Sequence, residues 1–158
     1  MARPEDPVFT PEGEFVPILR TRAWIDYLGD CPAANCNLWI LERDHQPRGH
    51  ALVAHLEGSA RIADFALEGK QDQAAITHAF SALIRTLKSL GDTLEVVAGS
   101  SLSEHVHAFE ECGLRYRGSS AVRLADSRKT LPGDSRLEII PALGDGYYLY
   151  DPSNPFLL

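Results

Sequence analysis

The chain has 158 residues, of which 44% are hydrophobic and 23% charged, a composition that fits one globular domain with its own core. Its net charge is −7 and no cluster of Lys and Arg stands out, which argues against nucleic acid as a general partner. No apolar run approaches the roughly 20 residues that a membrane-spanning helix needs, and residues 1–15 have no apolar core of a secretory signal. These features predict a soluble, cytoplasmic protein without a membrane span.

The cysteines argue against a disulfide framework, because their number is odd and no secretory signal precedes them. Cys31 and Cys36 would begin a zinc site, but no second pair of Cys or His follows at ligand spacing. His50 and His55 lie five apart in one predicted strand, so their side chains are expected on opposite faces of it. We therefore expect no bound metal.

The N-terminal part of the chain is predicted to be an extended arm. Residues 1–17 carry four prolines and little periodicity. Residues 18–158 are expected to form a single domain. This domain begins with a short helix over residues 22–28, which Gly29 and Asp30 end.

Three apolar runs predict three sequential strands, at residues 37–43, 49–57 and 60–67. Asp44 and Pro47 are turn residues, so the first two strands are predicted to form a hairpin with a longer loop over residues 44–48. Gly58 and Ser59 make a second, tight turn. The three strands are therefore expected to form an antiparallel meander.

A long helix is predicted over residues 73–90, with Phe80 and Leu83 in its core-facing stripe and Gly91 just after its end. Residues 93–99 predict a short strand. A strand, a long helix and a further strand form a crossover unit, which favours a parallel pair of strands. We expect the strand at residues 61–67 and the strand at residues 94–98 to splay apart from each other.

A second helix is predicted over residues 101–113, where Ser101 and Glu104 fit a capping box. Its buried side is expected to carry Val106, Phe109 and Cys112. His78, His105 and His107 are interpreted as surface or packed side chains.

The C-terminal part continues with predicted strands at residues 114–125, 137–140 and 147–150, joined in part by a polar link over residues 125–136. The whole order is β-β-β-α-β-α-β-β. It predicts an α/β fold of the α+β type, in which an antiparallel meander and a βαβ crossover form one mixed sheet with flanking helices.

Four stretches in this order resemble the GNAT superfamily of acyl-CoA N-acyltransferases. They are "LWILERDHQPRGHALVAHLEG" for its hairpin, "ARIADFAL" for its central strand, "AITHAFSALIRTLKSLG" for its CoA-proximal helix and "FEECGLRYRG" for its "YEKLGF" signature. The similarity covers residues 20–125 and extends to the second half of larger GNAT-like proteins of envelope polysaccharide pathways. It implies a GNAT-like fold and transfer of an acyl group, most simply acetyl, from acetyl-CoA or another acyl-CoA to an amine of a small molecule or peptide.

The loop before the long helix departs from the family pattern. In the family, Gln/Arg-x-x-Gly-x-Gly/Ala holds the CoA pyrophosphate on backbone amides. Here Asp72 replaces the basic or amide residue, Ala75 the first glycine and Thr77 the second small residue, while Lys70 offers the only compensating charge. The resemblance implies acyl-CoA contacts from Phe65, Ala66, Leu67, Lys70, Gln73, Ala74, Ala75 and Thr77. The loop is either a degenerate phosphate site or only a connection.

The candidate catalytic residues are two carboxylates. Glu68 follows the central strand at the place where the family often holds a base. Asp64 lies within that strand, where Asp is disfavoured, so it needs a partner such as Arg61 or a substrate amine. The tyrosine that protonates the leaving thiolate in many family members is replaced by Phe109, which has no proton to give.

Two functions remain open at this point. One is an acyl-CoA-dependent N-acyltransferase, with Tyr148 and Tyr150 as a wall of the acceptor pocket. The other is a catalytically inactive GNAT-like module for binding or assembly. That module would act through a protein partner or a homodimer, using the N-terminal arm or the strand at residues 147–150.

Overall fold

A computed structural model describes residues 7–9, 12, 15, 17, 20–30, 35–91, 93–117 and 137–140. The helices in this part of the chain are α1 (Arg22–Gly29), α2 (Gln73–Ser89) and α3 (Ser103–Glu111), and the strands are β1 (Asn35–Arg43), β2 (Gln46–Leu56), β3 (Ser59–Leu67) and β4 (Glu95–Ala98). Each element lies within a few residues of a predicted segment. None of these helices is long and apolar enough to cross a membrane.

The four strands form one sheet in the order β1-β2-β3-β4. β2 pairs antiparallel with β1 and β3, and β3 pairs parallel with β4, which confirms the predicted mixed sheet. The parallel pairing ends where Ile62 faces Ala98, so residues 63–67 of β3 continue past the end of β4. The pairing thus ends within the stretch of β3, residues 61–67, for which the splay was predicted.

Two hydrophobic clusters lie on opposite faces of the sheet. On one face α2 and α3 pack on β3, and the ring of Phe80 contacts Phe65 at 5.5 Å and Phe109 at 4.4 Å between centroids. Phe80 and Leu83 are buried, as predicted. On the other face α1 packs on β1, and Leu28 joins a second cluster with residues of β1, β2 and β3.

A bulge in β3 changes which side chains share a face. Leu52 faces Asp64 and Val53 faces Ile62, so Ala63 is an extra residue in β3. An extra residue in one strand interrupts the alternation of side chains. Ala63 and Asp64 therefore both lie on the α1 side, where Ala63 joins the second cluster.

The hairpin between β1 and β2 is tighter than predicted. Its turn consists of Asp44 and His45, both with positive φ (53° and 59°), and β2 begins directly after them. Left-handed conformations at both central residues suit a two-residue hairpin turn. The prediction of a longer loop over residues 44–48 was therefore wrong. Pro47 lies inside β2 opposite Glu42, beside an irregularity of the pairing, where a strand tolerates proline.

The predicted capping box of α3 was also wrong. The N-cap residue is Leu102, which makes no side-chain cap bond. The Ser101 hydroxyl instead donates to the Leu137 carbonyl (2.8 Å) and accepts from the Ile139 amide (2.7 Å). Ser101 is therefore used to hold the segment 137–140 against α3.

The buried stripe of α3 agrees with the prediction at Phe109 and Cys112 and departs from it at Val106. Its buried residues are His105, Ala108 and Phe109, while Val106 is 36% exposed. The polar residue His105 is thus buried, whereas the apolar pattern predicted burial of its neighbour Val106.

Several predicted segments fall outside the described residues. They are the strand at residues 147–150, the link at 125–136 and most of the arm and of the strand at 114–125. The described residues 114–117 form no strand, and Leu137 contributes a single bridge residue in the segment 137–140.

Candidate functional site

Asp64 is wholly buried and bonded by two side chains. Its carboxylate accepts from Arg20 Nε (2.8 Å) and Nη2 (2.7 Å), and His50 Nε2 lies 2.9 Å from its Oδ2. Burial would raise the pKa of Asp64, but the hydrogen bonds from His50 and Arg20 outweigh it and hold the pKa at about 2. The partners considered from the sequence were Arg61 and a substrate amine, whereas the observed partners are Arg20 and His50. Asp64 is thus an ionised, enclosed anion at neutral pH, a setting that suits a structural role better than general-base catalysis.

Arg20 connects Asp64 to the C-terminal segment. Its Nη1 and Nη2 donate to the carboxylate of Glu138 at 3.0 Å and 2.7 Å, and the side chains of both residues are buried. The guanidinium therefore joins the residue before α1, the centre of β3 and the segment 137–140. Breaking a complete buried ion network leaves an uncompensated charge, which is costly.

His50 supports Asp64 from β2 and also holds part of the arm. Its Nδ1 accepts the Phe9 amide proton (3.1 Å), and the two rings stack at 6.1 Å. Because Nδ1 accepts, Nε2 carries the proton and donates to Asp64. His55 contacts the ring of Trp39 instead, which confirms that the two histidines lie on opposite faces.

Glu68, the second predicted carboxylate, is exposed just beyond the end of β3. Its side chain pairs with Arg48 and its amide donates to the Arg48 carbonyl at 2.7 Å. Asp64 is buried on the α1 side of the sheet. The structure therefore does not bring the two predicted carboxylates together, and their catalytic role stays a prediction.

The N-terminus of α2 is capped by the chain's own carboxylate. Asp72 is the N-cap residue, and its Oδ1 accepts the Ala75 amide proton at 2.8 Å. An amide in the first turn of a helix is the group that would hold a bound phosphate. Asp72 thus occupies one of the donors that the predicted phosphate loop requires, while Lys70 and Ala74 are exposed nearby.

The first turns of α2 are closed against α3. Gln73 Nε2 donates to the Glu104 carbonyl at 3.0 Å, and the Thr77 hydroxyl donates to the carboxylate of Glu111. The Cys112 thiol contacts the Thr77 carbonyl at 3.7 Å. The predicted cofactor-binding residues Gln73 and Thr77 therefore hold two helices together.

The backbone amides at the end of β3 point in alternating directions. The Glu68 amide bonds β2, so the Ala66 amide also points to β2, while those of Phe65 and Leu67 point away from it. On that other side the pairing with β4 has already ended at Ile62. The amides of Phe65 and Leu67 therefore lie beyond the described pairing between β3 and β4.

A small cavity of about 40 Å³ lies beside the end of β3. Its lining residues come from the arm, from the end of β3 and the loop after it, and from the first turns of α2 and α3: Glu12, Phe15, Leu67, Gly69, Gln71, Ile76, Leu102, Glu104 and His105. This volume admits a group of a few heavy atoms, since one water needs roughly 10–15 Å³ of such space. Among the described residues, this lining contains two acids and neither Lys nor Arg.

His105 is the polar side chain that the apolar pattern missed. It is 6% exposed, its Nδ1 lies 3.2 Å from the Ser100 hydroxyl, and its ring packs edge-on against Phe65. Burial lowers its pKa, although the charges of Glu138 and Glu104 oppose this, so the ring is neutral at pH 7. The signal for its position was its spacing of four residues from Phe109, since both then lie on one helix face.

Tyr148 and Tyr150 lie outside the described residues. Within the described ranges, no group of three or more His, Cys, Asp or Glu side chains is arranged to hold a metal ion. No family model, curated protein or solved structure matches the chain. The GNAT resemblance therefore rests on the four sequence stretches and on the order of elements.

Proposed function

We propose that this chain is a GNAT-like binding domain whose small-ligand site is the cavity between β3 and α3, and that it does not use acyl-CoA as a donor. The observation that carries this proposal is the bond from the Ala75 amide to the Asp72 carboxylate. A pyrophosphate at this helix end would compete with that carboxylate for the amide and would be repelled by its charge.

Charge strengthens this argument. Glu68 and Asp72 lie in the loop before α2, and Glu111 contacts its second turn. Two like charges 4 Å apart near a protein surface repel by about 4 kcal/mol before screening by salt. Arg48 offsets Glu68 by direct pairing, and Lys70 is the basic residue within the loop. Binding of a dianion such as the CoA pyrophosphate at the N-terminus of α2 is therefore unfavourable.

Space gives a second argument. A CoA molecule needs a channel for its pantetheine arm, whereas the cavity beside β3 measures about 40 Å³. The contacts of Gln73 and Thr77 hold α2 against α3 at this end. The small volume and these contacts support a small ligand over acyl-CoA.

Calorimetric titration with acetyl-CoA at low salt tests the proposal. We expect no binding to the parent protein at millimolar ligand. The matched variant is Asp72→Asn, which keeps a good helix cap and removes the charge, so any binding that it gains reports the electrostatic effect alone. Micromolar binding of acetyl-CoA to the parent protein would overturn the proposal.

Acyl transfer is the second candidate, because the amides of Phe65 and Leu67 point away from β2 beyond the end of β4. Such amides would polarise a thioester carbonyl. Transfer would join the amine nitrogen to the acyl carbon and break the carbon–sulfur bond, and the proton that the nitrogen loses would pass to the leaving thiolate. His105 is one helical turn from Phe109 and would carry that proton, which Phe109 is unable to do. Formation of an acylated amine from acetyl-CoA by the parent protein, measured by mass spectrometry, would favour this candidate.

A further inference from the structure

We infer that His50 is a pH-sensitive latch for the N-terminal arm, in which protonation of the imidazole releases residues 7–9 from the sheet. This latch goes beyond the proposed function, because it concerns the docking of the arm and not the ligand of the cavity. Its basis is the bond from the Phe9 amide to His50 Nδ1, together with the complete burial of the ring.

Both ring nitrogens of His50 have a hydrogen-bond contact, and the two contacts determine its tautomer. Nε2 lies 2.9 Å from Asp64 Oδ2, and the Phe9 amide donates to Nδ1 at 3.1 Å. An ionised carboxylate only accepts a hydrogen bond and a backbone N–H only donates one, so Nε2 carries the proton and Nδ1 carries none. The docked arm therefore requires a neutral ring.

A further proton on the ring has only Nδ1 to occupy. Nδ1 then faces the Phe9 amide as a second donor, and neither N–H group has an acceptor. Stacking of the two rings compensates little, because their centroid distance of 6.1 Å is at the limit of roughly 6 Å for attraction between a cation and an aromatic face. The contact of Nε2 with Asp64 is kept and becomes an ion pair. Protonation thus breaks the contact with the arm and leaves the contact with β3 intact.

Among the described residues, the charged groups next to the ring come from several elements. Asp64 lies in β3, Arg20 just before α1 and Glu138 in the segment 137–140. The two carboxylates favour a charged imidazole, and the guanidinium opposes it. Arg48, two residues before His50 in β2, is paired with a carboxylate at the protein surface.

The latch acts in a different pH range from the acid weakening of the fold. Asp64 has a pKa of about 2, so it stays ionised in the range where histidine side chains titrate. The carboxylate therefore still holds the protonated ring. Mild acid should release the arm while the sheet and the buried ion network stay folded.

NMR of the full chain with isotope-labelled histidine and amides tests the latch between about pH 8 and pH 5. The His50 ring signals report protonation, and hydrogen exchange of the Phe9 amide, corrected for the intrinsic effect of pH, reports docking of the arm. We expect protection of this amide to fall about tenfold as the ring is protonated, while the Val53 amide in β2 stays protected. Protection of Phe9 that survives protonation, or a ring that stays neutral until the domain unfolds, overturns the inference.

Two histidine variants separate the latch from other effects of acid. His50→Gln removes the titrating group, so the Phe9 amide should show no acid step in this range, whatever its level of protection. His55→Gln removes the histidine on the opposite face of β2 and is the matched control, which should keep the step. An acid step that persists in His50→Gln would contradict the inference.

Two variants at Phe9 give the reciprocal test, which keeps His50 in place. Because docking of the arm and protonation of the ring compete, removing the amide proton should make the ring easier to protonate. Phe9→Pro lacks that proton and should move the midpoint of the His50 ring signals to higher pH by about 0.7 unit, a change of about fivefold. Phe9→Ala keeps the backbone amide and should move the midpoint less. Equal midpoints in the parent protein and in Phe9→Pro would refute the latch.

Discussion

The N-termini of α2 and α3 lie on the same face of the sheet, and both contribute residues to the cavity beside β3. At α2 the Asp72 carboxylate bonds the Ala75 amide, whereas at α3 the N-cap residue Leu102 offers no side-chain bond. One helix start is thus occupied by an anion from the chain itself, and the other presents the neutral ring of His105. The position of a helix start near a sheet does not decide what it binds; the groups in its first turn decide it.

The two helix starts also differ in how they are anchored. The start of α3 is tied to the segment 137–140 through Ser101, and that segment is held by the ion pair of Arg20 with Glu138. The start of α2 depends on its own cap and on contacts of Gln73 and Thr77 with α3. Perturbing the buried ion network should therefore affect the α3 end more than the α2 end.

The largest effect is expected from removing the core side chain that both helices share. Phe80→Ala should lower the free energy of unfolding by about 4 kcal/mol, because a cavity opens between Phe65 and Phe109. Urea unfolding followed by circular dichroism measures it. Leu94→Ala, at a side chain that is 87% exposed, is the control and should change stability little. Equal stability of both variants would mean that α2 and α3 do not share this core.

Asp64→Asn should lower the free energy of unfolding by about 3 kcal/mol, since it breaks the buried pair with Arg20. Hydrogen exchange should then rise more at amides 102–105 of α3 than at amides 75–78 of α2. Glu68→Gln, which alters an exposed carboxylate, is the control. Faster exchange at α2 alone would contradict the difference in anchoring.

Acid should weaken the fold through the same residue. The pKa of Asp64 is lowered from 3.8 to about 2, so its contribution is present above the unfolded value and is lost as the pH falls towards about 2. Protonation of Asp64 should lower the free energy of unfolding by about 2 kcal/mol. The Asp64→Asn variant should lack this loss. Urea titrations between pH 5 and pH 2 compare the two proteins, and an identical acid dependence would exclude Asp64 as the cause.

The smallest effect is expected at the cap of α2. Asp72→Ala should cost about 1 kcal/mol, because the Ala75 amide loses its acceptor, whereas Asp72→Asn should cost a few tenths at most. Thermal unfolding measures both variants. A loss of stability in Asp72→Asn as large as that in Asp72→Ala would show that charge, and not capping, is the main contribution of Asp72.

Much of the fold follows from local pattern. The periodicity of the segment around Phe80 and the alternation along the three strands predicted α2 and the meander. The two-residue turn was missed because His45 gives no signal for a left-handed conformation. The capping box at Ser101 was missed because that hydroxyl bonds residues 137–139, which are distant in sequence. Long-range partners of this kind leave no local trace.

The candidate site was predicted less completely. The sequence marked Asp64 as a buried acid that needs a partner, but Arg20 lies 44 residues away and pairing with it is a consequence of the tertiary fold. Asp72 was recognised as a departure from a phosphate loop, whereas its bond to Ala75 appeared only with the geometry of the helix start. His105 was undervalued because apolar periodicity alone assigns the buried stripe of α3 to Val106.

One titration tests the central claim most directly. Protein with isotope-labelled amides is titrated with acetyl-CoA at low salt. We expect acetyl-CoA to leave the amide signal of Ala75 at the start of α2 unchanged, because the Asp72 carboxylate already holds that amide. A saturable shift of the Ala75 amide signal with acetyl-CoA would contradict the account of α2 as a helix start that its own carboxylate closes.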